Sequence, residues 1–186
     1  MLHRSGHRRK CDRPGNKRGC KEMRKLSRHV VPGFTVLALV ATWAAAQERA
    51  SMSAPVIRST AEELIISARF EDFVADRSYR IGFGAVDKAP EMTLELMLGD
   101  EPVSLEAQDF VQGNTSAWWR VEHVNARGYF LKGEDLPEEG GALVLRVRLN
   151  RSEAEKYDRL FIFVARDYGN DRWYLEDGTV IEKSDW

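Results

Sequence analysis

The chain is poor in the residues that build reactive centres. It has two cysteines, Cys11 and Cys20, and four histidines, of which only His123 lies beyond residue 29. A transition-metal site needs clustered His or Cys ligands, so none is expected. A Ser-His-Asp hydrolase would have to rely on His123, and no nucleophile-elbow motif surrounds any serine. On a strand spanning 117–124, His123 reads as a half-buried structural imidazole. No organic cofactor is implied, and there is no internal repeat or low-complexity tract.

A long membrane-spanning run is also missing. The most apolar stretch near the start, Val30 to Ala46, has 17 residues with Pro32 and Gly33 at its beginning, and a spanning helix needs roughly 20. Eleven Lys or Arg precede it within residues 1–29, against only Asp12 and Glu22. A basic region, an apolar run and the small residues Ala44-Ala45-Ala46 make up a secretory signal peptide, with cleavage expected after Ala46. An uncleaved membrane anchor is the second reading, so no stable span is expected in the mature form. Met23 opens an ordinary short basic region, so residues 1–22 read as an upstream extension and 23–46 as the signal. The Arg8-Arg9 pair lies too far from the apolar run for a twin-arginine signal. No cysteine lies near the cleavage position to make a lipoprotein.

Removing that leader changes the charge balance. The whole chain carries 28 Lys and Arg against 29 Asp and Glu; from Gln47 onward 17 basic and 27 acidic residues remain, a net charge of −10. Nucleic acid and anionic lipid would be repelled by such a domain. Both cysteines leave with the leader, so an exported domain would fold without a disulfide. Roughly 140 residues bury about two-thirds of their surface and need no such staple. A periplasmic or secreted location is therefore expected, and a bacterial periplasm suits a cysteine-free exported domain best. Asn114-Thr115-Ser116 and Asn150-Arg151-Ser152 match the glycosylation pattern and in that setting are chance matches.

Residues 47–59 read as a flexible arm and 60–186 as one domain. The anchor of its fold is Leu160 to Ala165, six apolar residues bounded by charge, expected as a central strand buried on both faces. Alternation of Leu64, Ile66, Ala68 and Phe70 predicts a strand in 60–73, although Thr60 and Glu63 also spell a helical capping box. Strands are further predicted at 79–83, at 92–98 with Leu98 facing inward, and at 117–124 and 142–149. Val103 to Glu106 is expected to pair back on 92–98. Residues 107–116 are expected as a polar loop, Asn125 to Gly128 as a turn before Tyr129-Phe130-Leu131, and Gly133 to Gly141 as an acidic loop. Ser152 with Glu155 predicts a capped helical corner. The segments 172–175 and 179–183 are expected to form a hairpin around Glu176-Asp177-Gly178.

Many short strands with regular turn signals predict an all-β fold, a single antiparallel β-sandwich of immunoglobulin-like architecture with one short helical corner. The inter-sheet disulfide of that architecture is absent. Its corner tyrosine has no counterpart two residues before Val164, where Ile162 stands.

For function, the aromatics are the most informative set. Trp118 and Trp119 are neighbours, as are Trp173 and Tyr174, so on strands each pair points to opposite faces. Together with Arg120, Tyr168 and Asp171 they are the expected binding residues, because an outward ring beside a charge can anchor a protein partner or stack on a sugar. Asp167, Asp171 and Asp177 are weak calcium ligands in sequence, lacking the order of an EF-hand loop. The expected function is a non-enzymatic exported module acting through contact with an envelope protein. A glycan- or peptidoglycan-binding module, with or without calcium, is the alternative, and a small carboxylate-based hydrolase is third.

Overall fold

The computed structural model describes residues 49–113, 119–139 and 141–186. The leader readings (1–22, 23–46) and Trp118 fall outside the described residues.

Eleven strands among them form two antiparallel sheets. The first half of the chain supplies β1 (Ser51–Met52), β2 (Val56–Ser59), β3 (Glu63–Glu71), β4 (Tyr79–Ala85), β5 (Thr93–Leu98) and β6 (Glu101–Pro102). The second half supplies β7 (Gln108–Gly113), β8 (His123–Leu131), β9 (Leu143–Asn150), β10 (Arg159–Asp167) and β11 (Trp173–Glu182). One sheet runs β1-β3-β9-β5-β6, with β2 on the same edge of β3 as β1, and the other runs β11-β10-β4-β8-β7. The all-β sandwich expectation holds. Chain order places β1, β3, β9 and β5 as A, B, E and D of a constant-type immunoglobulin sandwich, and β4, β10 and β11 as C, F and G. The departure is the hairpin β7–β8, inserted between D and E and added beside C.

The alternating strands behave as their sequences demand. Leu64, Ile66, Ala68 and Phe70 of β3 and Leu143, Leu145, Val147 and Leu149 of β9 are buried between the sheets. Thr60 heads a strand and not a helix: its hydroxyl accepts the Glu62 and Glu63 backbone N–H groups, a turn that launches β3. Leu160, Ile162 and Val164 face the inter-sheet core, while Phe161, Phe163 and Ala165 enter a second cluster on the other face of the same sheet. The run is thus buried on both faces, but it stands second in its sheet. The middle place belongs to β4, whose seven residues are all buried.

That second face is where the structure corrects the sequence reading. Residues 107–116 contain β7, an edge strand that turns Phe110 and Gln112 inward while Val111 stays exposed. The strand expected at 117–124 starts only at His123, and the expected turn at Asn125 to Gly128 is part of it. Gly128 is opposite Gly82, and a Cβ there would lie 1.9 Å from the Ile81 carbonyl oxygen. The glycine serves close approach of two strands and not a turn. Likewise β11 is unbroken, and the expected hairpin at Glu176-Asp177-Gly178 is a β-bulge. Val164 pairs with Asp177 and Ala165 with Leu175, which leaves Glu176 as the extra residue. A Cβ on Gly178 would meet the Ile162 carbonyl oxygen at 2.6 Å. The real reversal is 168–172, where Gly169, Asn170 and Asp171 take positive φ, as their types tolerate.

Smaller corrections follow the same logic. The arm on β5 is Glu101–Pro102, continued only by the Val103 N–H bond to the Leu96 carbonyl at 2.8 Å, and Leu98 at the end of β5 is exposed. The helical corner α1 spans Arg151–Ala154 with Asn150 ahead of it, so Ser152 lies inside it and caps nothing. At this corner Tyr157 donates its hydroxyl to Glu153 at 3.1 Å.

Among the described residues no helix is long and apolar enough to cross a membrane.

Candidate functional site

Two exposed aromatics stand at the β10–β11 reversal, Tyr168 in the turn at 55% and Tyr174 on β11 at 41% of full exposure. Their rings meet edge to face, with centroids 5.1 Å apart at 71°. Beneath them lies a charged support. Arg166 Nε pairs with Glu176 Oε1 at 2.9 Å, and both side chains are nearly buried, at 12% and 2% exposure. The guanidinium also sits 4.4 Å from the Tyr168 ring centroid and donates to the Tyr168 hydroxyl, which in turn donates to Glu176 at 3.1 Å. Burial by itself would lower the Arg166 pKa, but Tyr168, Glu176 and Tyr79 outweigh it and hold the guanidinium above its ordinary value. The bulge makes this possible, because the extra residue turns the Glu176 side chain toward Arg166 in place of the next ladder position.

The same bulge fastens the N-terminal strand. Glu176 Oε2 accepts the Ala50 backbone N–H at 2.9 Å, and Asp177 Oδ2 accepts that of Met52 at 2.7 Å. Next to them opens a pocket of about 800 Å³, walled by Asp72, Phe73 and Val74, by Leu136 to Glu139, and by Glu176 and Asp177. Its acids are largely committed to internal bonds: Asp72 accepts the Ser51 hydroxyl, and Glu176 has three donors. A carboxylate so engaged is poorly placed as a general acid or base.

The remaining expected residues divide by place. Trp119 is fully buried, packed on Phe161 and Phe163 at 4.9 and 5.2 Å, so it offers no stacking surface. Trp173 is half-buried with its ring against Arg80 and Phe130. Arg120 and Asp171 are exposed, and His123 is exposed at the head of β8 instead of half-buried. The calcium candidates do not converge: Asp167 accepts the Gly169 N–H, whereas Asp177 points to β1. Among the described residues no group of three or more His, Cys, Asp or Glu is placed to hold a metal.

Two features escaped the sequence reading. One is the Arg166–Glu176 support, hidden because the bulge that creates it looked like a turn. The other is Arg80, a lone charge in the apolar strand Tyr79–Ala85 and 6% exposed. An isolated arginine inside a strand of that composition is a readable signal. Its Nε and Nη2 both donate to Gln112 Oε1, at 3.0 and 2.7 Å.

Comparison with protein-family models, with curated proteins and with solved structures gave no significant match.

Proposed function

We propose that this chain is an exported, non-enzymatic β-sandwich that acts through protein–protein contact, with the Tyr168–Tyr174 rim as its contact surface and an envelope protein as its partner. The observation that carries this reading is the fixed pair of exposed tyrosines on a nearly buried Arg166–Glu176 support. Tyrosine and arginine dominate interface energetics, and rings held in place before contact lose little freedom on binding. Export rests on the three-part leader and the −10 charge of the chain beyond it.

A glycan-binding role fits this rim less well. Sugar rings stack on a flat aromatic face, and an edge-to-face pair at 71° presents no shared platform. Trp119, the ring best suited to stacking by type, is buried.

The test is photo-crosslinking in cells that export the protein, with a benzophenone amino acid at Tyr174 and a control at exposed Val56. A discrete adduct to one envelope protein from position 174, weakened by Tyr168→Ala, is expected. Identical adduct patterns from both positions would overturn the assignment of the rim.

A further inference from the structure

Each sheet has two edges, and among the described residues three of the four are blunted against further strands. On β5 the Tyr129 hydroxyl donates to the Leu94 carbonyl oxygen at 2.9 Å, and the Val103 N–H donates to that of Leu96 at 2.8 Å. The opposite edge of that sheet consists of β1 and β2, of two and four residues, with Pro55 between them. On β11 the bulge bends the edge, and its carboxylates Glu176 and Asp177 bond Ala50 and Met52. Short strands, prolines and bulges are the usual means of stopping strand addition. β7 has none of them. Its six residues, Gln108–Gly113, include no Lys or Pro, and among the described residues no strand lies beyond it. Its one charge, Asp109, is paired with Arg127 of β8 at 3.6 Å. The bond from Gln112 to Trp173 is made by a side chain and occupies no backbone group of β7. Val111, at the middle of this edge, is 56% exposed. Beside it opens a cleft of about 670 Å³ walled by Ala89, Pro90 and Met92.

We propose that β7 is a self-association edge: two copies of this chain pair their β7 strands antiparallel about a two-fold axis at Val111, joining their second sheets into one. The occupant is a second copy because the strand is complementary to itself in that register. Directly opposed residues of an antiparallel pair share a face, so a two-fold pairing must centre on a residue and not between two. Centred on Val111, the pairing sets the exposed valine against its own counterpart and Asp109 against the copy's Gly113. The next strand inward places His123, also exposed, opposite that glycine, and Arg127 opposite Asp109. Each Asp109 then lies between its own Arg127 and the copy's His123, which reaches over a position without a side chain. No like charges are opposed. Centring on Phe110 would instead set the Asp109 carboxylate against the apolar Val111. The paired valines stand at the mouths of the two Ala89-Pro90-Met92 clefts, which give them room. The Tyr168–Tyr174 rim lies at the other edge of the sheet, so both rims stay outward and the assembly is bivalent.

The pairing stands apart from the rim reading and is tested without it. The full chain carries Cys11→Ser and Cys20→Ser, so that any introduced thiol is alone. A single edge strand makes a small interface of the weak class, so sedimentation is expected to show dimer at about 500 μM and monomer at about 5 μM. Under mild oxidation Val111→Cys is expected to give a covalent dimer. Asp109→Cys is expected to stay reduced, because its two copies lie about 14 Å apart along the strands, beyond disulfide reach. Val111→Lys, a charge at a position already exposed, is expected to remain monomeric at about 500 μM with an unchanged circular dichroism spectrum. Equal cross-linking from positions 109 and 111 would overturn the register. A chain that stays monomeric at about 500 μM and forms no disulfide at 111, or a Val111→Lys variant that dimerises as before, would overturn the pairing itself.

Discussion

Ala50 and Glu176 lie at opposite ends of the described chain, yet the Ala50 backbone N–H donates to Glu176 Oε2 at 2.9 Å. This one carboxylate joins the first strand of one sheet to the bulge of the other, and its second oxygen holds Arg166 and Tyr168. The rim and the N-terminal edge of the sandwich thus share a single support.

Replacing Glu176 with glutamine should therefore weaken more than the rim. The amide keeps one acceptor but leaves the Arg166 guanidinium without its counter-charge in a nearly buried place. Breaking such a pair destabilises by about 3 kcal/mol. Urea unfolding should show that loss, and amide exchange at Ala50 and Met52 should accelerate with it. A change within experimental error in both would remove the support assigned to Glu176.

Glu153 gives the acid limb of stability a specific origin. Its carboxylate is bonded by Lys156, by the Tyr157 hydroxyl and by the Glu91 backbone N–H, and these hold its pKa below the ordinary 4.5. A depressed folded pKa adds stability that is present above the unfolded value and is lost as pH falls from about 4.5 through the folded pKa. Glu153→Gln should thus be less stable than wild type at pH 7, with the difference shrinking as pH falls below 4.5. Burial, and after it the same carboxylate, push Tyr157 up to about 12, so this corner gains no titration near neutrality from its tyrosine. A difference that stays constant from pH 7 to pH 3 would sink this account.

Glycine substitutions should separate close approach from turn geometry. Gly128→Ala places a methyl against the Ile81 carbonyl, where strand pairing leaves no room, and should destabilise by about 3 kcal/mol, the upper end for an overpacked site. Gly99 has open space around it but a φ of +62°, so Gly99→Ala should cost only about 1 kcal/mol. Chemical denaturation of the two proteins side by side checks the order.

The tyrosines should act on binding and not on folding. Tyr174→Ala removes a partly exposed ring that packs on Tyr168, so stability should fall by no more than about 1 kcal/mol. Partner affinity should fall at least tenfold, about 1.4 kcal/mol, as expected of an interface anchor. Thermal melts and a binding titration with the crosslinked partner decide it; full affinity in the variant would discard the rim.

The strongest local patterns were legible in the chain. Leu64 to Phe70 and Leu143 to Leu149 alternate because one face of each strand meets the core, and that period survives in any all-β context. Leu160 to Ala165 is apolar throughout because both of its faces are covered. The misreadings with most effect on the fold are at glycines and at edge strands, β7 and the short β1 and β2 in the stretch read as an arm. Gly128 and Gly178 look like turn residues by type, and only their neighbours, the Ile81 and Ile162 carbonyls, show that they are there for lack of a Cβ. Residues 107–116 look polar because an edge strand shows half its residues to water. At the site, Tyr174 and Trp119 were each picked as one of two adjacent aromatics on a strand and Tyr168 as a ring on the loop between; Tyr168 and Tyr174 are exposed, whereas Trp119 is buried.

By itself the sequence determined the core-forming strands Glu63–Glu71, Leu143–Asn150 and Arg159–Asp167, since side-chain period and apolarity act within a few residues. It also determined the scarcity of histidine and cysteine beyond residue 46. Only the tertiary structure decided which outward rings reach solvent, because that depends on how far the second sheet coils and what its edges cover. The two edge strands of that sheet are joined by contacts distant in sequence, of Arg80 with Gln112 and of Gln112 with Trp173, and no local pattern encodes a meeting of two edges.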